Sequence, residues 1–302
     1  MSLNSALPEV ARRGAIVIAL ANQKGGVGKT TSAVSLSVVL AGAGYRVLLV
    51  DDDPQGNATS SLGIEKADLD RTMYDVLVEG APIAEVAVPT GRDRLMLLPS
   101  TPALAGAEVE LVEMPSREKR LRAGIDAVRD DYDLIFIDCP PSLGLITVNA
   151  LTAADLVLVP IQCEFLALEG VGQLITTIDL VRRHLNRSLD IIGVLMTMYD
   201  GRTRLSQHVV NEVRHYFPER IFDEVIPRSV RLAEAPSYGQ AIVEYDRLSR
   251  GAEAYRAVAG ELLERLGLPA TVSSEPVQSD DDQHGAPAGR HAEHALQEGA
   301  AR

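Results

Sequence analysis

The sequence predicts an α/β fold: one domain on a mostly parallel, twisted sheet of about seven or eight strands, with helices on both faces. Three observations carry this. From residue 14 to about 267, short apolar runs alternate with helical patterns, which implies right-handed crossovers between parallel strands. Hydrophobic residues form 46% of the 302-residue chain while aromatics form only 4%, so the core is made of Val, Leu, Ile and Ala, as in sheets covered by helices on both sides. Finally, the glycine-rich stretch 25–31 follows the apolar run 15–21 and opens into a helical pattern over 31–40. That strand, turn and helix order is the context of a phosphate-binding loop.

Taken in order, the expected strands are 16–21, 46–51, 95–99, 134–138, 156–160, 191–196 and 222–226, each a short apolar run bounded by polar or turn residues. Helices are expected over 31–42, 101–112, 116–129, 144–152, 168–185, 203–217 and 250–266. The last puts Tyr255, Val258, Ala259, Leu262, Leu263 and Leu266 on one face. Residues 1–13 read as a flexible lead, 14–268 as the domain and 269–302 as a disordered acidic tail. Beyond Thr271 the chain is rich in Ser, Asp, Gln, Gly and Ala without periodicity.

Composition narrows the function classes. No apolar run reaches the ~18 residues of a membrane span, and the N-terminus lacks the apolar middle of a signal peptide, so a cytoplasmic protein is expected. Cys139 and Cys163 are too few for a disulfide framework and read as small packing residues. Two per subunit could alternatively supply four ligands to one iron–sulfur cluster in a dimer. The net charge of −13 argues against a uniformly basic surface but leaves room for a local arginine cluster.

The loop Lys24-Gly25-Gly26-Val27-Gly28-Lys29-Thr30-Thr31 brings backbone N–H groups to a polyphosphate. Lys29 is placed to reach the β- and γ-phosphates and the Thr30 hydroxyl to hold Mg²⁺. The pattern G-x-x-x-x-G-K-[ST] would begin with glycine at position 23, where this chain has Gln23. The extra Lys24 is poorly placed to serve its own phosphates and well placed to reach across a two-fold axis to a partner's nucleotide. Asp51, Asp52 and Asp53 end the second strand beside this loop, where magnesium and an attacking water account for so many carboxylates. Four apolar residues ending in Asp138, followed by Cys139-Pro140-Pro141, form a second magnesium-binding pattern. The guanine motif N-K-x-D is absent from 196–200, which favours ATP over GTP.

These motifs resemble the ParA/MinD family of dimerising ATPases, whose deviant phosphate loop matches K-G-G-V-G-K-T-T, and in particular the ParA/Soj partition proteins. Their D-x-D-P-Q-G-N-A-T, M-Y-D-x-R-T and I-P-R-x-V-R-L-x-E-A-P-S segments match 51–59, 198–203 and 226–237. The resemblance spans 15 to about 266. It implies a P-loop NTPase domain that binds ATP and Mg²⁺ through Lys24, Gly25, Gly26, Val27, Gly28, Lys29, Thr30 and Thr31, with Lys24, Lys29 and Asp53 catalytic. In it Asp53 polarises the water, Asp51 supports the magnesium shell with Thr30 and Asp138, and Asp52, in the variable slot, is a solvated side chain. Pro227 lines the adenine pocket, and Arg202, Arg228 and Arg231 contact DNA phosphates without reading sequence. The resemblance further implies a homodimer formed on ATP binding, non-specific double-stranded DNA, a ParB-type centromere-binding partner that stimulates hydrolysis, and association with the nucleoid. The acidic 280–282 run stands where a membrane-bound relative would carry a basic amphipathic helix, so no membrane partner is expected. A positioning ATPase for another cargo, or a metal-cluster carrier on the same loop, are the rival readings.

Overall fold

The structure, a computed structural model, describes residues 14–164 and 169–270. The expected lead (1–13) and the tail from 271 onward lie outside the described residues. Along the chain run β1 (Ile16–Leu20), α1 (Lys29–Gly42), β2 (Val47–Asp51), α2 (Asn57–Ser61), α3 (Ile83–Val86), β3 (Val88–Pro89), β4 (Leu95–Leu98) and α4 (Leu104–Glu110). Then come α5 (Arg120–Val128), β5 (Leu134–Asp138), α6 (Leu145–Ala153), β6 (Leu156–Gln162), α7 (Glu169–His184) and β7 (Asp190–Thr197). The chain closes with α8 (Arg204–Tyr216), α9 (Val230–Glu234), α10 (Ile242–Tyr245) and α11 (Arg250–Leu266).

The seven strands form one sheet in the order β3-β4-β2-β5-β1-β6-β7, parallel throughout except for the antiparallel edge strand β3. The sheet buries both faces, which is why its strands read as unbroken apolar runs rather than alternating ones. Val17 and Ala19 of β1 face a core filled by Ile125 of α5, Ala150 of α6 and Leu174 of α7. Their neighbours Ile16, Ile18 and Leu20 face the opposite core, filled by Leu36 and Leu40 of α1 and Tyr255, Val258 and Leu262 of α11. The one-residue alternation of a pleated strand thus divides β1 between two cores.

Two strands differ from expectation. The segment 222–226 touches β7 only through isolated bridges at Val194–Ile221 and Tyr199–Pro227. Phe222 and Ile226 donate to Val194 and Met196 carbonyls (2.9 and 2.8 Å), but the Asp223 N–H between them turns to the Glu261 carboxylate. The ladder breaks because Ile226, not Glu224, the next residue on that side after Phe222, donates to the Met196 carbonyl, so the chain between them bows away from β7. At the other edge, β3 is only two residues long and contains Pro89, which cannot donate, so no periodicity marked it. Among the described residues, no helix is long and apolar enough to cross a membrane.

Parallel register brings the functional carboxylates to one end of the sheet. Leu20 pairs with Asp138, and Asp138 with Asp51, so β1, β5 and β2 end at a common level. Ligands of open α/β sheets sit beyond the carboxyl ends of their strands.

Candidate nucleotide site

The loop leaving β1 is held from both sides. The buried Asn22 donates to the Pro160 carbonyl (2.7 Å) at the end of β6 and accepts from the Lys24 N–H (3.0 Å). Gly26 and Gly28 take φ of +73° and +88°, the left-handed region that a side chain would strain. Gly28 stands at the N-cap of α1 and offers no capping side chain. Helix N-termini leave their first N–H groups unpaired and carry partial positive charge, so the end of α1 is free to face an anion. Lys29, in the first turn, is buried, and its Nζ donates to the Lys24 carbonyl at 3.3 Å. Burial lowers the Lys29 pKa, while Asp138, Cys139 and Asp53 nearby pull it back up. Lys24 points elsewhere: its ammonium pairs with the Glu164 carboxylate just beyond β6, and both side chains are about a third or more exposed (40% and 35%).

Three of the four carboxylates at the strand ends are accounted for differently. Asp51 Oδ2 accepts the Thr59 N–H and hydroxyl, both at 2.7 Å, and Oδ1 lies 3.4 Å from the Asp53 N–H. Burial nevertheless pushes the Asp51 carboxyl up to about 6. Asp53 accepts the Gln55 N–H (2.9 Å), and the Ser100 hydroxyl donates to its carbonyl (2.8 Å), which fixes the turn after β2. Asp138 is fully buried, and neither oxygen has a hydrogen-bond partner of normal geometry among the described residues, although the Thr30 hydroxyl faces it. Burial first, then Asp51, raises its pKa well above the usual carboxylate range. Two orphaned oxygens beside a hydroxyl and an ammonium suit a divalent cation, because hard cations take oxygen ligands and would satisfy both. Thr30 and Asp138 fit that role directly. Asp51, with one oxygen already committed to Thr59, fits an outer shell.

Asp52 overturns its expectation. It is fully buried rather than solvated, and both oxygens lack partners among the described residues. The pleat explains the error: following Asp51 by one position, it faces the opposite side, toward Cys139 and Glu108. Burial, then Asp51 and Asp138, raises its pKa well above the usual carboxylate range. An unpartnered buried polar group costs about 1–3 kcal/mol. Asp52→Ala should therefore raise stability by about 1–3 kcal/mol, read as a higher unfolding midpoint in urea. An unchanged or lower midpoint would show that the carboxyl has a partner.

The arginines form two groups. Arg202 grips Asp200 with two parallel bonds (2.9 and 2.8 Å), which takes the Asp200 carboxyl down to about 2. Arg228 is brought beside them because its N–H donates to the Tyr199 carbonyl (2.9 Å) at the Tyr199–Pro227 bridge. Arg231 stands apart, pairing with Glu234 (3.3 Å) and Asp246 (3.7 Å) and lying over the Tyr245 ring (5.9 Å). All three are exposed. Half-buried Pro227 abuts the end of β7, next to the strand residue that touches the phosphate loop. Cys139 and Cys163 are both buried in the core, with burial pushing the Cys163 thiol up to about 12, so neither is presented for a shared cluster.

Sequence reasoning passed over Asn22, Glu164 and Thr197, which brace or engage the loop from β1 and from the ends of β6 and β7. Only Asn22 lay close enough in sequence to have been found, as a buried amide directly before the loop.

A family model described as an AAA domain matches residues 15–191. The chain is 56% identical over 246 residues to the sporulation initiation inhibitor protein Soj of Bacillus subtilis, covering 82% of this chain and 97% of that one. It is 52% identical over 249 residues to the chromosome partitioning protein ParA of Myxococcus xanthus, covering 82% and 88%. Among solved structures, one titled cobyrinic acid a,c-diamide synthase from Mycobacterium smegmatis, with bound ADP and magnesium, matches at a TM-score of 0.74 and 40% identity, covering 84% of this chain and 96% of that one.

Proposed function

Because the chain belongs to the ParA/Soj family of chromosome-partitioning proteins, we propose that it is a partition ATPase whose ATP-bound dimer holds DNA without sequence preference. The observation that carries this is the pair of lysines on one loop: Lys29 buried at the helix end, and Lys24 turned out of the site onto Glu164. A single-subunit hydrolase needs only the first. Lys29 and the N–H groups of residues 25–31 receive the phosphates, and Pro227 borders the base. Thr30 and Asp138 would hold magnesium, with Asp51 supporting its water shell, and the ion would supply neutralisation of charge on the phosphate oxygens. Asp53 orients the attacking water, so that ATP and water give ADP and phosphate. In the dimer, Lys24 leaves Glu164 for the partner's phosphates, so loss of the γ-phosphate removes its reason to stay and the pair opens.

Two-fold pairing places Arg202, Arg228 and Arg231 of both subunits on one surface. Each exposed guanidinium is already ion-paired or close to a carboxylate, but exposed pairs are worth only about 0–1 kcal/mol and yield readily to a line of phosphates. A ParB-type centromere-binding protein, which stimulates hydrolysis, is the partner this reading requires, and the nucleoid is the place where it acts. The test is retention on non-specific double-stranded DNA with ATP, ADP or no nucleotide. Retention is expected with ATP alone and should fall steeply with salt, with Arg231→Glu weakening it while leaving the dimer intact. Equal retention in all three states would overturn the reading.

A further inference from the structure

We infer that Thr197 is a positioning residue for the nucleotide, setting the direction in which the Gly28 N–H points. The inference rests on the phosphate-loop reading and adds to it a residue 170 positions away in the chain. Thr197 ends β7 and is fully buried; its hydroxyl donates to the Val27 carbonyl at 2.8 Å. Val27 C=O and Gly28 N–H belong to one planar peptide, and no peptide bond in the described residues is cis. In a trans peptide the two groups point in opposite directions. Drawing the carbonyl toward Thr197 therefore aims the N–H away from β7, toward the open side of the loop.

That N–H makes no hydrogen bond among the described residues. It sits at the N-cap of α1, where the helix end already favours an anion. Gly28 alone could not hold this direction. At φ +88° it has the freedom of a residue without Cβ, and a peptide next to a glycine rotates easily unless something pins it. The Thr197 methyl lies against the same glycine: a Cβ built at Gly28 would stand 3.6 Å from it. One side chain thus supplies both the bond that orients the peptide and the surface against which the loop rests. The Thr197 carbonyl in turn accepts from the Cys163 N–H (2.9 Å), so the hydroxyl is carried by a strand end that is itself paired.

Two substitutions separate the hydroxyl from the packing. Thr197→Val keeps the shape and loses the donor; Thr197→Ser keeps the donor and loses the methyl. Full-length variants are titrated with a fluorescent ATP analogue in the presence of Mg²⁺, beside thermal unfolding without nucleotide. Thr197→Val should bind about tenfold more weakly, the size of one lost hydrogen bond. Thr197→Ser should stay within about threefold of the parent, a difference of less than one such bond. Parent-like binding by the valine variant would overturn the inference, as would equal loss in both variants, which would assign the effect to packing. Failure of the unsubstituted protein to bind the analogue would instead sink the phosphate-loop reading itself.

Discussion

Lys24→Ala should bind ATP within a few-fold of the unsubstituted protein and yet remain a monomer at saturating ATP. The physical reason lies in the contact that Lys24 makes without nucleotide. Its ammonium rests on Glu164, and both side chains are partly exposed. Such a pair contributes about 0–1 kcal/mol, since water screens it and two long side chains lose freedom to form it. A triphosphate carries several charges within a few ångströms, so a partner's nucleotide outcompetes one half-solvated carboxylate. Own-site affinity changes little because the own phosphates are served by Lys29 and the loop N–H groups. Dimer formation changes greatly, because each two-fold pair loses two lysines at once, and a loss of about 2.7 kcal/mol would already weaken association a hundredfold. Light scattering with and without ATP reads the outcome. A normal ATP-dependent dimer would remove the cross-subunit role.

Lys29→Ala should lose nucleotide binding by at least about a hundredfold, or some 2.7 kcal/mol. The ammonium is buried among Asp138, Asp53 and Cys139, so its charge acts on phosphate in a poorly hydrated setting where attraction is strong. The effect on folding should be smaller than the several kcal/mol usual when a buried ion pair is broken, because among the described residues the Lys29 ammonium donates only to the Lys24 carbonyl. Burial, and then Asp51, raises the Asp138 pKa, and Lys29 is one of the groups opposing that rise. Calorimetry should therefore show abolished binding by a protein whose melting temperature moves by only a few degrees, in line with a change of about 1 kcal/mol. Retained tight binding would exclude 25–31 as the phosphate loop. A collapse in melting temperature would show that the Lys29 ammonium is a main support of the fold.

The strands of this chain were legible because burial on both faces makes each a continuous apolar run, and α11 because its buried face recurs with the helical period, whereas α1, buried nearly all round, was legible from its place after the glycine turn. The phosphate loop was legible for another reason: its glycines, lysines and threonines all lie within residues 24–31, so spacing alone carries the chemistry. Where a partner came from elsewhere, reading failed. The 222–226 segment has strand-like residues, but its backbone skips from Phe222 to Ile226 in bonding to β7, so no continuous ladder forms. Asp52 looks like a polar turn residue, and the pleat carries it into the core.

Local patterning was thus enough to establish the α/β architecture, the anion-binding turn and the acidic strand ends, since each follows from periodicity or from neighbours along the chain. What sequence could not decide were the pairings across the sheet: Lys24 with Glu164, Val27 with Thr197, and Tyr199 with Pro227, which brings Arg228 beside Arg202. These depend on strand order and register, which are set when two cores close on opposite faces of one sheet. No spacing in the chain encodes which strand ends will then meet.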